Sequence, residues 1–150
     1  MAVFQPFFVI LSITFYSALD TPPSLGILTV NALTASDSVL IPVTPQLLSA
    51  IGLKMLIKTI QKVQKHINPA LVIDGVLMAM CDTRTNLYKE VNGIMDKTYS
   101  QSIRIFDTII PHSTKVGEAN LRRQSVLLYD EHSKPSKAYQ EFAKELMLSA

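Results

Sequence analysis

One aspartate stands between an apolar β-branched run and two prolines, in the string Leu19-Asp20-Thr21-Pro22-Pro23-Ser24-Leu25-Gly26. A carboxylate at the C-terminal end of a buried strand sits where open α/β sheets bind ligands. The prolines fix φ and remove two N–H donors, giving a stiff turn that can hold Asp20 toward a ligand. An ionised Asp there suits Mg²⁺, which takes hard oxygen ligands and keeps much of its water. A rigid loop whose Asp caps a turn is the competing reading.

A second candidate is electrostatic. Lys54, Lys58, Lys62 and Lys65 recur at helical spacing on the side opposite an apolar stripe of Leu53, Leu56, Ile60, Val63 and Ile67, and no acidic residue occurs between Asp37 and Asp74. Like charges at i,i+4 are mildly unfavourable unless an anion uses them, although a solvated face accounts for such a row as well. His66, His112 and His132 lack metal-ligand spacing. Cys81, the single cysteine, reads as a small buried hydrophobe and cannot form an internal bridge, which excludes a disulfide-stapled scaffold.

The elements that would position these residues follow from periodicity. β-branched runs predict strands at Ile13–Leu19, Ser38–Val43, Leu71–Met80 and Ile103–Ile110. Between and after them, 3.6-residue periodicity predicts helices at Leu25–Ala35, Pro45–Ile67, Asn86–Tyr99 and Ser136–Leu148. This alternation predicts an α/β fold, a parallel sheet with flanking crossover helices. Ser24 is the expected cap of the first helix and Pro45 the expected first-turn residue of the second, which Asn68-Pro69 ends. In the last helix Tyr139, Phe142 and Leu146 form a stripe, and Lys137 and Glu141 an i,i+4 pair.

The chain has 150 residues, 48% hydrophobic and only 17% charged, against roughly 25% charged in an average soluble chain. Disorder is excluded as its main state. The net charge of +2 divides unevenly: residues 1–53 carry only Asp20 and Asp37, and all 14 basic residues come after them. The apolar stretch Met1–Leu19 has no basic residue before it, which argues against a secretory signal, and Gln5, Pro6, Ser12, Thr14 and Ser17 interrupt it, which argues against a membrane span. A strand buried on both faces reads in the same way.

The ordered set Asp20-Thr-Pro-Pro-Ser-Leu-Gly26, Asn31–Asp37, Ile41-Pro-Val43, Asp82-Thr-Arg-Thr-Asn-Leu87, Ile110-Pro111, Glu118-Ala119 and Tyr129-Asp130 resembles the C-terminal half of ParA/Soj partition ATPases. The resemblance covers Asp20 to about Met147 and leaves residues 1–15 as an atypical segment ahead of a ParA-like part at 16–150. It implies the C-terminal part of a deviant P-loop NTPase fold, with ATP and Mg²⁺ as ligands. The implied partners are non-specific DNA, a ParB-like protein, and a second copy or an intact ParA relative as dimer partner, in the cytoplasm on the nucleoid. Asp20 is the implied Mg²⁺ ligand, Met80, Asp82 and Pro111 flank the adenine, and Arg84 and Lys115 contact DNA beside the lysine row.

Departures from the family pattern limit the chemistry. No G-K-[ST] occurs anywhere, His112-Ser113 stands where Arg-Asn is common, and Arg123-Gln124-Ser125 stands where the family has Gly-Lys-Pro. Phosphoryl transfer depends on loop amides, a lysine and Mg²⁺ acting together, so this chain alone is not expected to hydrolyse ATP. The apolar first third then reads as the interior of a larger sheet. The alternatives are a non-catalytic DNA-binding or dimerisation module and a MinD-like membrane regulator. The mixed charges of Lys137, Glu141, Lys144 and Glu145 do not suit the latter.

Overall fold

A computed structural model describes residues 17–22 and 26–148. Three strands, β1 (Ser38–Val43), β2 (Val72–Cys81) and β3 (Ile105–Pro111), form a parallel sheet in the order β1-β2-β3. Helices α1 (Ile27–Ala35), α2 (Leu47–His66) and α3 (Asn86–Tyr99) accompany β1 and the two crossovers. The short α4 (Thr114–Leu121) and α5 (Val126–Tyr129) then lead to α6 (Lys134–Met147). The predicted α/β class and parallel sheet are therefore present.

Side chains alternating along each strand feed two cores, which is why the strands read as unbroken apolar runs. On one face Val39, Ile41, Val76 and Met78 pack with Leu33 of α1, Leu53 and Ile60 of α2, and Val91 and Met95 of α3. On the other face Leu40, Leu77, Phe106 and Ile110 pack against Ala138 and Phe142 of α6. The Phe106 and Phe142 rings meet edge to face with centroids 5.1 Å apart. Glu145 of α6 completes the joint: its carboxylate oxygens accept the N–H groups of Asp107 and Thr108, each at 2.9 Å.

Two irregularities shape the ladder. Between Val39↔Ile73 and Leu40↔Gly75 one extra residue, Asp74, bulges from β2, and its Oδ2 accepts the Ser38 hydroxyl at 2.6 Å. Gly75 has φ +153°, and a Cβ there would stand 2.7 Å from the Phe106 ring and 2.8 Å from the Arg104 carbonyl oxygen. Only glycine lets β2 and β3 approach so closely.

Several expectations need correction. The predicted strand Ile13–Leu19 is not a strand over Ser17–Leu19, and its first part lies outside the described residues. A strand exists only where a partner ladder takes its N–H and C=O groups, which local composition cannot supply. The Ser24 cap also lies outside the described residues; α1 starts at Ile27 with Gly26 as N-cap. α2 starts at Leu47 with Gln46 as N-cap, so Pro45 precedes the helix rather than filling its first turn. Ile67 is its C-cap and is exposed, and the stripe is completed by Ala50 and Ile57 instead.

Asn68 does end α2, and its side chain also closes the C-terminal end of α1, with Nδ2 donating to the carbonyls of Leu33, Thr34 and Ser36. α6 begins at Lys134, earlier than expected, capped by Ser133, whose hydroxyl accepts the Ser136 N–H. Phe142 and Leu146 face the core as expected, while Tyr139 is exposed and Ala138 takes its place. The ion pairs found among the described residues are Arg84–Asp82, Arg104–Glu145 and Lys115–Glu118, not Lys137–Glu141.

Candidate functional site

The C-terminal ends of β2 and β3 lie side by side: Cys81 is in register with Pro111, and the His112 N–H donates to the Cys81 carbonyl at 2.9 Å. This is the edge at which open α/β sheets bind ligands. It brings together Met80, Asp82 and Pro111. Met80 occupies the left-handed region at φ 53° with an exposed side chain. A non-glycine residue held there is strained, and such strain collects at ligand-binding positions. The cause is the register shift between Met78 and Cys81, which turns Met80 outward while Cys81 stays buried. Burial pushes the Cys81 thiol up to about 11, so it remains protonated as an inert packing group.

After β2 the chain turns through Asp82-Thr83-Arg84-Thr85. The Thr85 hydroxyl donates to the Asp82 carbonyl and accepts the Tyr88 N–H, which caps α3. Arg84 folds back on Asp82: Nε to Oδ1 is 2.9 Å, Nη2 to Oδ2 is 2.8 Å, and the Arg84 N–H also reaches Oδ1 at 3.2 Å. These hydrogen bonds, with the nearby Arg84 and His112 charges, hold the Asp82 carboxyl down at about 2.

After β3 the Ser113 hydroxyl accepts the Lys115 N–H and caps α4. Lys115 Nζ lies 3.2 Å from Glu118 Oε2, the same oxygen that accepts the Tyr129 hydroxyl at 2.8 Å. Lys115 and Arg122 both stand over the Tyr129 ring, at 5.6 and 5.1 Å from its centroid. Glu118 is held below the usual carboxylate range by the Tyr129 hydroxyl first and by Lys115 second, and Lys115 is raised by Glu118. Periodicity does not predict α4 and α5, which are short and carry little apolar repeat. The Lys115–Glu118 i,i+3 spacing is the signal that could have found α4.

The remaining sequence candidates separate. Asp20 is exposed and outside any strand, contrary to its expected place at a buried strand end. Among the described residues no three His, Cys, Asp or Glu side chains cluster as a metal site. Lys54, Lys58, Lys62 and Lys65 are exposed on the outer face of α2 as expected. Toward the start of α2 the exposed face is apolar, with Leu47, Leu48, Ile51 and Met55, and Ile27 and Leu28 of α1 are exposed as well. A groove of about 570 Å³, walled by Ile57, Gln61, Gln64, Leu71, Tyr99 and Ile103, opens at the start of β2, the opposite end of the sheet from Asp82.

A family model described as an AAA domain matches residues 15–73. The sporulation initiation inhibitor protein Soj of Bacillus subtilis is 43% identical over 131 residues, 87% of this chain and 51% of its own length. The chromosome partitioning protein ParA of Caulobacter vibrioides is 37% identical over 132 residues, 88% of this chain and 49% of its own. The chain carries a ParA/Soj-type partition ATPase region. That region spans about half the length of these relatives. Its fold is that of a solved cobyrinic acid a,c-diamide synthase from Mycobacterium smegmatis with bound ADP and magnesium. The TM-score is 0.67 at 31% identity, covering 85% of this chain and 44% of the other. In the ParA/Soj-type region, the Asp82–Arg84 turn follows β2, and the Lys115–Glu118–Tyr129 cluster joins α4, which follows β3, to α5.

Proposed function

We propose that this chain provides the base-contacting edge and the DNA-contacting surface of a partition-type, ATP-linked DNA-segregation protein, and that it does not hydrolyse ATP by itself. The observation that carries this reading is the side-by-side placement of the β2 and β3 ends. There the apolar side chains of Met80 and Pro111 can flank a planar base, and the Asp82 oxygens offer acceptors for an exocyclic amine. Arg84, whose side chain is 87% exposed, projects from the same edge.

The donor set suits a nucleotide base better than a metal. Mg²⁺ is commonly held by one or two carboxylates together with substrate phosphates and water. Asp20 can serve as one such carboxylate but has no protein partner set among the described residues. When bound, Mg²⁺ would neutralise phosphate charge. The chain contributes no G-K-[ST] lysine beside it.

Non-specific DNA is the partner that the exposed cations fit. Arg84, Lys115 and the row Lys54, Lys58, Lys62 and Lys65 offer phosphate contacts without base reading. A ParB-like protein and a second ParA-type subunit are the protein partners of this reading, in the cytoplasm on the nucleoid. Duplex retention that falls steeply with salt, together with ATP turnover indistinguishable from buffer, is the expected result. Mg²⁺-dependent turnover abolished in Asp20→Ala would overturn the inactive assignment. Retention equal in the native chain and in Arg84→Ala/Lys115→Ala would remove Arg84 and Lys115 from the DNA surface.

The exposed, strand-free Asp20 favours a second reading, a nucleotide-independent DNA-binding or dimerisation module. Gel shifts that ignore ATP would select it. The MinD-like alternative is weakened by α6, whose apolar side is spent on Phe106 and Ile110, and no helix among the described residues is long and apolar enough to cross a membrane.

A further inference from the structure

We infer that Arg122 and Arg123, rather than Lys115, make the principal phosphate contacts at the corner between α4 and α5. This assignment rests on the DNA-binding reading above and adds to it the residues that carry the charge. Lys115 is largely compensated: Glu118 Oε2 lies 3.2 Å from its ammonium, and the Asp130 charge also acts on it. Arg122 has no carboxylate among the ion pairs found in the described residues. Its guanidinium instead lies 5.1 Å from the Tyr129 ring centroid, and the side chain is exposed.

An arginine stacked on an aromatic ring keeps its N–H fork free and loses little conformational freedom when a phosphate arrives. The ring is itself fixed, since the Tyr129 hydroxyl donates to Glu118 at 2.8 Å. Glu118 therefore neutralises Lys115 and, through Tyr129, orients Arg122. Arg123 adds a second exposed cation at φ 55°, a backbone conformation in which a long side chain is uncommon. The two arginines come directly after α4, which begins three residues beyond Pro111, the β3 residue in register with Cys81 at the edge that leads into the Asp82–Arg84 turn.

The test measures affinity of the full chain for a random-sequence DNA duplex by fluorescence anisotropy across roughly 50 to 200 mM salt. Arg122→Ala/Arg123→Ala is expected to weaken binding about tenfold at the low-salt end and to flatten the log–log salt slope by about two, one for each phosphate no longer neutralised. Lys115→Ala should change the slope by less than one, and Arg122→Lys/Arg123→Lys should keep most of it. A Lys115→Ala effect equal to or larger than that of the arginine double variant overturns the assignment, as does an unchanged slope in that variant. A native chain that binds no duplex even at low salt sinks the DNA reading and this assignment together. Native binding that the arginine double variant matches sinks this assignment alone. Leu121 and Leu128 are exposed beside the arginines. Flotation of the native chain with phosphatidylglycerol-containing vesicles, without duplex binding, would give the corner to a membrane surface and overturn the proposal.

Discussion

Arg84 grips Asp82 side-on through one edge of its guanidinium, Nε on Oδ1 at 2.9 Å and Nη2 on Oδ2 at 2.8 Å. The residue assigned to a nucleotide base and the residue assigned to DNA thus occupy one another. The pair is open to solvent on the arginine side, so its hold is modest and competition with phosphates is feasible. Asp82→Asn should raise duplex affinity about threefold at low salt by releasing Arg84, within the range of an exposed pair. A general charge effect would give the same gain in an Arg84→Ala background, and release of the pair would not. The double-mutant cycle read by anisotropy separates them.

Acid should loosen the joint between α6 and β3. Burial pushes the Glu145 carboxyl up, but the hydrogen bonds from Thr108 and Asp107 and the Arg104 charge outweigh it, and the group sits below the usual carboxylate range. A depressed folded-state value gives stability that is present above the unfolded value, about 4.3, and lost as pH falls through the folded one. Urea midpoints should therefore decline below about pH 4.5. Glu145→Gln should lower stability by about 1–2 kcal/mol at pH 7 and flatten that decline. Parallel curves for both proteins would remove Glu145 from the acid response.

Gly75→Ala is expected to destabilise by about 2 kcal/mol, because the new methyl group meets both the Phe106 ring and the fixed Arg104 carbonyl. Pairing it with Phe106→Leu relieves only the ring clash, so recovery should be partial. Full recovery in chemical denaturation would mean that the carbonyl moves freely.

Arg123→Gly should act in opposite directions on two measurements. Glycine takes φ 55° without steric cost, so the thermal midpoint should rise, by about 0.5–1 kcal/mol in stability. Duplex affinity should fall, since a cation is removed. A variant that improves both would show that Arg123 touches no phosphate.

Legibility from sequence varies with how local the determinant is. The strand Ser38–Val43 and the helix Asn86–Tyr99 fall where their own periodicity puts them, because a buried strand and an amphipathic helix advertise their faces. Ser17–Leu19 has strand composition and no strand, since pairing depends on what lies alongside. Pro45 is compatible with the first turn of α2, yet Gln46 is the residue that starts it. At the site, the resemblance assigns Met80, Asp82 and Pro111 to one edge, and the β2–β3 register puts them there. The Asp82–Arg84 grip and the Tyr129 platform under Arg122 are not legible, since each depends on a loop conformation or a tertiary approach that spacing does not encode.

The Glu145 clamp also gives the sheet a direction of growth. With the Asp107 and Thr108 N–H groups committed to a carboxylate of the same chain, neither is left for a newcomer strand at this irregular stretch of the ladder. Lateral extension beside β3 would first have to break two charge-assisted hydrogen bonds. Any further strand, from this chain or another, would meet less resistance beside β1, where Pro42 withholds only one donor.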